Sequence, residues 1–180
     1  FISIEQVLEL VGKDVLRFMM LTRKSNSVME FDVEKVKEQS KDNPVFYVQY
    51  AHARGCSVLN HAEESTNKAF KKAVENWDKV KLTLLKEEVE LDLIKHLSYW
   101  PRQVKTAALN HEPQKLASYL QILAAKFHAF WNVGNENQDL RFIVPNDCEL
   151  TAARLVLLQS VLKIIGNGLK LIGVKPVSKM

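Results

Sequence analysis

Cysteine, proline and glycine are scarce in this chain, at 2, 5 and 6 of 180 residues. Each shortage excludes something. Cys56 and Cys148 stand far apart with no framework spacing, so reduced thiols in a cytoplasmic protein are expected rather than a disulfide scaffold. None of the glycines pairs as G-x-G-x-x-G or opens a G-K-[ST] turn, which removes the common phosphate-cradling loops. Long apolar runs are missing too. Stretches such as 155–158 fall far short of the roughly 20 residues that span a bilayer, and Glu5 and Glu9 interrupt the opening segment where a signal peptide would need an apolar run. Strand-like alternation of any length is also absent.

What remains is a composition with 47% hydrophobic and 26% charged residues, enough apolar material for one well-packed domain and too much for disorder. The net charge is +4, and it is not evenly spread. Basic and acidic residues number eight and eight in 1–60, ten and nine in 61–120, and seven and four in 121–180. A surplus of this size permits an RNA partner without demanding one.

Apolar spacing predicts helix after helix. Ser3 caps a short helix carrying Val7, Leu8 and Val11 that Gly12 ends. Lys13 to Thr22 is apolar nearly all round and is expected to be buried. A connection at 25–31 leads to a helix over 33–39 capped by Asp32. Asn43-Pro44 opens a long helix to about Glu64, with Val45, Val48, His52, Cys56 and Leu59 on its core face. A lysine-rich helix is expected over 65–81, anchored by Phe70, Val74 and Trp77. Leu91, Ile94, Leu97, Val104 and Ala108 fall in one register that Pro101 must kink or split. Glu112-Pro113 opens a helix with Leu116, Leu120, Leu123, Phe127 and Phe130 on one stripe, ended by Gly134 and Asn135. Thr151 begins a last helix carrying Leu155, Leu158, Leu162, Ile165, Leu169 and Ile172, closed by Gly173 and Pro176. The expected fold is an all-α helical bundle.

Catalytic constellations do not emerge. His52 and Cys56 have a workable two-ligand spacing, but no second pair supports a metal, and a core cysteine beside a hydrogen-bonded histidine is the simpler account. Nothing positions a cysteine–histidine nucleophile. The run Glu87, Glu88, Glu90 and Asp92 reads as a solvated face. Composition and periodicity alone do not separate a protein-interaction bundle from an RNA-binding bundle.

One passage separates them. SKDNPVFYVQYAHARGCSVL (Ser40–Leu59) resembles the start of the helical anticodon-binding domain of the arginyl-tRNA synthetases. GKDVLRFMMLTRK (Gly12–Lys24) resembles the segment after that family's second nucleotide-binding signature. FHAFWN (Phe127–Asn132), LRFI (Leu140–Ile143), LTAARLVLLQSV (Leu150–Val161) and the ending GVKPVSKM (Gly173–Met180) follow in the same order. The resemblance implies a bundle of the class I synthetase anticodon-binding type over 43–180, preceded by a helical junction at 1–42. The parent enzyme would join arginine to its tRNA using ATP and Mg in a catalytic domain outside this chain. This part would bind no cofactor, contact no membrane, and work as a monomer with arginine tRNA and its own catalytic domain as partners. Gly55 departs from the family, and a mid-helix glycine suggests a loosened turn.

Unpaired anticodon bases are read by aromatic stacking and edge hydrogen bonds. Trp131 and Asn132, expected at the end of their helix, offer one of each; core packing accounts for Trp131 as well, and the resemblance tips it toward the anticodon. Tyr50 and Arg54, one turn apart, fall on the wetter face of the long helix, with His52 assigned to packing. Arg54 suits a phosphate or a neighbouring carboxylate. Met180 resembles the family's closing residue near the anticodon loop, its terminal carboxylate within reach of Lys175 or Lys179.

Overall fold

A computed structural model describes residues 3–24, 27, 43–64 and 79–180. Among these, helices are α1 (Ile4–Val11), α2 (Lys13–Leu21), α3 (Pro44–Glu64), α4 (Glu88–Ser98), α5 (Trp100–Leu109), α6 (Gln114–Glu136) and α7 (Cys148–Leu171). Short 3-10 turns sit at Leu82–Leu84 and Gln138–Leu140, and the described residues contain no strand. The helix expected over 33–39 and most of the one over 65–81 lie outside the described residues.

The helix starts follow from local chemistry. Ser3 and Gln6 form a reciprocal capping box on α1. Asn43 accepts the Val45 N–H at 3.2 Å, and Pro44 takes the first helical position of α3. Asp147 caps α7 by accepting the Leu150 N–H at 2.9 Å, so the last helix begins before the expected Thr151. Thr151 has a different task. Its hydroxyl accepts from the Val144 N–H at 2.8 Å and donates to the Val144 carbonyl at 3.0 Å, stitching the preceding loop to the helix. Gly173, at φ +73°, closes α7 where a side chain would be strained.

The centre is formed by α6 and α7. The former packs against α3, α4, α5 and α7. Every residue of α7 from 151 to 158 is buried, as expected of a helix surrounded by others. The stripes expected on both helices are the ones in the core: Leu116, Leu120, Leu123, Phe127 and Phe130 meet Leu155, Leu158, Leu162, Ile165 and Leu169. Burying each of these side chains contributes about 1.5–3 kcal/mol.

Four expectations are corrected. Pro101 splits the run into α4 and α5, and the register does not survive the break: Leu91 and Ile94 face solvent, and Leu93 takes the core instead. The acidic run is not wholly a solvated face either, because Glu90 is completely buried. Its Oε1 accepts from the Arg154 Nε at 2.6 Å, and its Oε2 accepts the Glu87 N–H at 3.0 Å. Arg154 further donates to the Asp139 and Arg141 carbonyls at 2.6 and 2.7 Å, so one guanidinium joins α7, α4 and the 138–141 turn. Glu90 and Leu93, three residues apart, share the buried face of α4. Gly134 does not end α6, which continues to Glu136. Gly55 does not loosen α3, which runs unbroken; a Cβ there would sit 2.6 Å from Leu162 Cδ2, so the glycine admits α7 at close range.

Part of α2 belongs to the same core. Phe18 is fully buried and Val15 nearly so, while Met20 remains exposed. Arg17 Nε donates to the Ile172 carbonyl at 2.8 Å, and Asp14 Oδ2 accepts the Lys175 N–H at 3.1 Å. Both bonds tie the first helices to the C-terminal tail.

Candidate nucleic-acid interface

Helical spacing brings Tyr47, Tyr50 and Arg54 onto one side of α3, and Phe127, His128 and Trp131 onto the facing side of α6. Small residues let the two helices approach, with Ala51 and Ala53 both buried. Trp131 lies more than a turn inside α6 rather than at its end as expected. Between the helices sits the Arg54 guanidinium, its Cζ 4.3 Å from the Tyr50 ring centroid and 4.6 Å from that of Trp131. Cation–π contact with both rings holds the charge at this surface. A hydrogen bond from Nη2 to the Tyr50 hydroxyl fixes it further.

The remaining anchor is His128. Its Nε2 lies 3.4 Å from the Tyr47 carbonyl, which can only accept, so Nε2 carries the proton. Nδ1 is thereby an acceptor, and Arg54 Nη1 donates to it at 3.3 Å. Burial, with Arg54 as a lesser contributor, pushes the His128 pKa below the ordinary histidine value, which keeps the ring neutral and able to accept. Tyr50 stacks on His128 at 5.7 Å and Tyr47 tilts against it at 4.6 Å. The result is an arginine oriented by three rings, those of Tyr50, Trp131 and His128, with Tyr47 backing the histidine. Tyr50 is 42% exposed, so the cluster is open to a ligand.

The structure therefore brings Tyr50, Arg54 and Trp131 together. Asn132 is exposed on α6 next to Trp131, and Met180 is exposed at the end of the chain. The tail leading to Met180 crosses another face of α3: Gln49 Nε2 donates to the Lys175 carbonyl at 2.9 Å and His52 Nδ1 to the Val177 carbonyl at 2.8 Å. His52 is thus a packing residue, as expected, and Cys56 Sγ lies 3.6 Å from its Nδ1. Burial raises the Cys56 thiol pKa, which makes it a poor nucleophile. Among the described residues no three His, Cys, Asp or Glu side chains converge on a point that would hold a metal ion. No helix among them is long and apolar enough to cross a membrane.

Sequence reading passed over His128. The signal was present: a histidine three residues before Trp131 shares its helix face. What could not be read from one chain is that α3 would set Arg54 and Tyr47 opposite it.

A helical bundle whose surface groove presents an oriented arginine among aromatic rings has the features of a module that grips unpaired nucleotides. The DALR anticodon binding domain family matches residues 48–180, and the chain belongs to that family. It is 49% identical over 181 residues to the arginine–tRNA ligase of Rickettsia bellii (strain OSU 85-389), covering 100% of this chain and 31% of that one. To the arginine–tRNA ligase of Orientia tsutsugamushi (strain Boryong) it is 50% identical over 180 residues, 100% of this chain and 30% of that one. The chain therefore spans just under a third of the length of these curated relatives. Among solved structures, Thermus thermophilus arginyl-tRNA synthetase matches with a TM-score of 0.74 at 27% identity, over 95% of this chain and 27% of that one.

Proposed function

We propose that this chain is the tRNA-gripping module of an arginine–tRNA ligase, and that it holds the anticodon loop in the groove between α3 and α6. The observation that carries the reading is Arg54, in cation–π contact with the Tyr50 and Trp131 rings and aimed by a neutral His128. A guanidinium so placed meets a phosphate or a base edge with its geometry already fixed, which spares the ordering cost of a free side chain. Tyr50 supplies an open ring for a base, and Asn132, exposed next to Trp131 on α6, a polar group. Met180 completes the set only if the tail end reaches round toward the bound loop.

In this reading the partners are arginine tRNA and a catalytic domain of the same protein, where ATP and Mg serve arginine activation. The 180 residues alone activate no arginine, because they carry no nucleotide-binding signature. Arginine-dependent pyrophosphate exchange by the pure chain would overturn that part. The work takes place in the cytoplasm, where two cysteines that form no disulfide, Cys56 and Cys148, suit a reducing environment, and one copy of the chain engages one tRNA.

Binding of arginine tRNA at two salt concentrations tests the grip. Trp131→Ala is expected to weaken binding by about 1–3 kcal/mol with little change in salt dependence. Arg54→Ala should lose less and flatten the salt slope by roughly one unit if the guanidinium meets a phosphate. Variants that melt normally and bind tRNA as tightly as the parent chain would remove these residues from the site.

A further inference from the structure

Near the end of α7, Leu171 is 60% exposed, and beside it an open groove of about 660 Å³ runs between α5 and α7. Both helices pack on α6, and the groove is the space they leave between them. Trp100, Pro101 and Val104 line it from α5, and Asn167, Lys170 and Leu171 line it from α7. Helical spacing extends each wall. Ala108 continues the Pro101 and Val104 face by one turn, and Ile164 lies one turn before Asn167 and two before Leu171. Each wall therefore rises about 10 Å. A glycine shapes the floor: a Cβ at Gly168 would lie 3.1 Å from Trp100 Cη2 and 2.6 Å from Leu120 Cδ2, so the indole settles directly against α7. The same indole meets the Tyr119 ring with centroids 5.1 Å apart.

The charge around this groove has one sign. Arg102 and Lys105 are exposed on α5, and Lys163 and Lys170 on α7. No carboxylate occurs on α5, and Glu149, at the far end of α7, is paired with Lys81 at 2.9 Å. Among the described residues none of those four cations enters an ion pair, whereas Lys81, Lys115, Lys126 and Arg154 all do.

An apolar trough with cationic rims selects its partner. Pro101, Val104 and Leu171 offer surface to aliphatic side chains and nothing to a phosphate. Trp100 is half-buried against Tyr119 and the Gly168 backbone, a wall of the trough rather than an open platform for stacking bases. We propose that this groove docks an acidic amphipathic helix of another protein. Its apolar side chains lie on Val104 and Leu171, and its carboxylates turn toward Lys105, Lys163 and Lys170. Helix-in-groove recognition uses anchors at i, i+3 or i+4 and i+7, and two such turns match the length of the walls. No member of the Arg54 cluster lines the groove, so the inference stands apart from the anticodon reading.

The test uses the 180-residue chain and a fluorescein-labelled synthetic helix of about four turns, with leucine at those spacings and glutamate elsewhere. A peptide of the same composition, its leucines scattered around the helix, is the control. Anisotropy titrations should show the amphipathic peptide binding roughly tenfold more tightly than the control, with an affinity that falls as salt rises. The double variant Lys105→Glu/Lys170→Glu, which sets like charges against the peptide, should weaken it by roughly tenfold or more. Leu171→Asp should do the same through the apolar wall. All three positions are exposed, and unchanged melting temperatures establish that the variants are folded. A scattered peptide that binds as well as the amphipathic one, or variants that bind it like the parent chain, overturn the docking site. A double variant that keeps the peptide but loses arginine tRNA makes this face an RNA surface, and that result overturns the proposal too.

Discussion

At the scale of single residues, the strongest commitments in this fold are polar ones. Glu90 and Arg154 are buried as an ion pair, and each uses its other hydrogen-bonding capacity on backbone groups. Removing one partner leaves the other charged and dry. Arg154→Met is therefore expected to cost about 3–5 kcal/mol in denaturant unfolding, with Glu90→Gln in the same background recovering part of it. By contrast Lys81→Ala, which breaks the exposed pair with Glu149, should cost less than about 1 kcal/mol. The histidines carry a pH signature. Burial depresses the pKa of both His128 and His96 in the folded chain, whereas unfolded histidine titrates near 6.5. Between those values the unfolded chain binds more protons, so stability rises with pH there. It should be complete above roughly pH 6.5, fall as the pH drops through that value, and level off below the folded pKa values. Thermal melts from pH 7.5 down to 5 check this, and His128→Phe should give a shallower fall than the parent chain; an unchanged slope would show that His128 is not held neutral by its surroundings.

At the scale of elements, legibility followed the source of each signal. The α6 and α7 stripes were readable because a helix buried along its length repeats its apolar residues whatever its neighbours do. The orientation of α4 was not, because its buried face pairs Leu93 with Glu90, whose partner Arg154 lies 64 residues away. Gly55 and Gly134 misled for a related reason. A glycine in a helix reads locally as weakness or as an end, yet both are points where another segment comes close. Of the candidate site, Tyr50, Arg54 and Trp131 could be proposed from spacing and resemblance, but the cation–π contacts that join them could not. Gly134→Ala tests the close-approach account. In an unpacked helix it should add about 0.5–1 kcal/mol of stability. Here the new Cβ meets backbone atoms of the 138–141 turn, which cannot rotate aside, so a net loss of about 1–3 kcal/mol is expected, the usual cost of overpacking. Denaturant unfolding gives the sign, and a stabilised Gly134→Ala chain would mean that the turn yields freely.

At the scale of the whole molecule, the question is whether α1 and α2 are a separate junction or a part of the bundle. Sequence spacing suggests a junction whose apolar residues await a partner elsewhere. Burial divides those residues: Met20 is 53% exposed, but Phe18 is fully buried within the cluster that contains Val45, Val48, Leu169 and Ile172. Two hydrogen bonds, from Arg17 to Ile172 and from Lys175 to Asp14, add polar ties between the two ends of the described chain. An element that shares a core should unfold with it. Phe18→Ala is then expected to lower the single melting transition, by an amount equivalent to about 3–5 kcal/mol for a truncated buried phenylalanine. Met20→Ala should leave that transition nearly unmoved. Calorimetry distinguishes the two arrangements. A Phe18→Ala chain whose main transition stays where it was, with only a small early step lost, would make α2 an independent junction. A main transition that moves down as one, with calorimetric and van't Hoff enthalpies still equal, makes α2 part of the scaffold that holds α3 and α6 around Arg54.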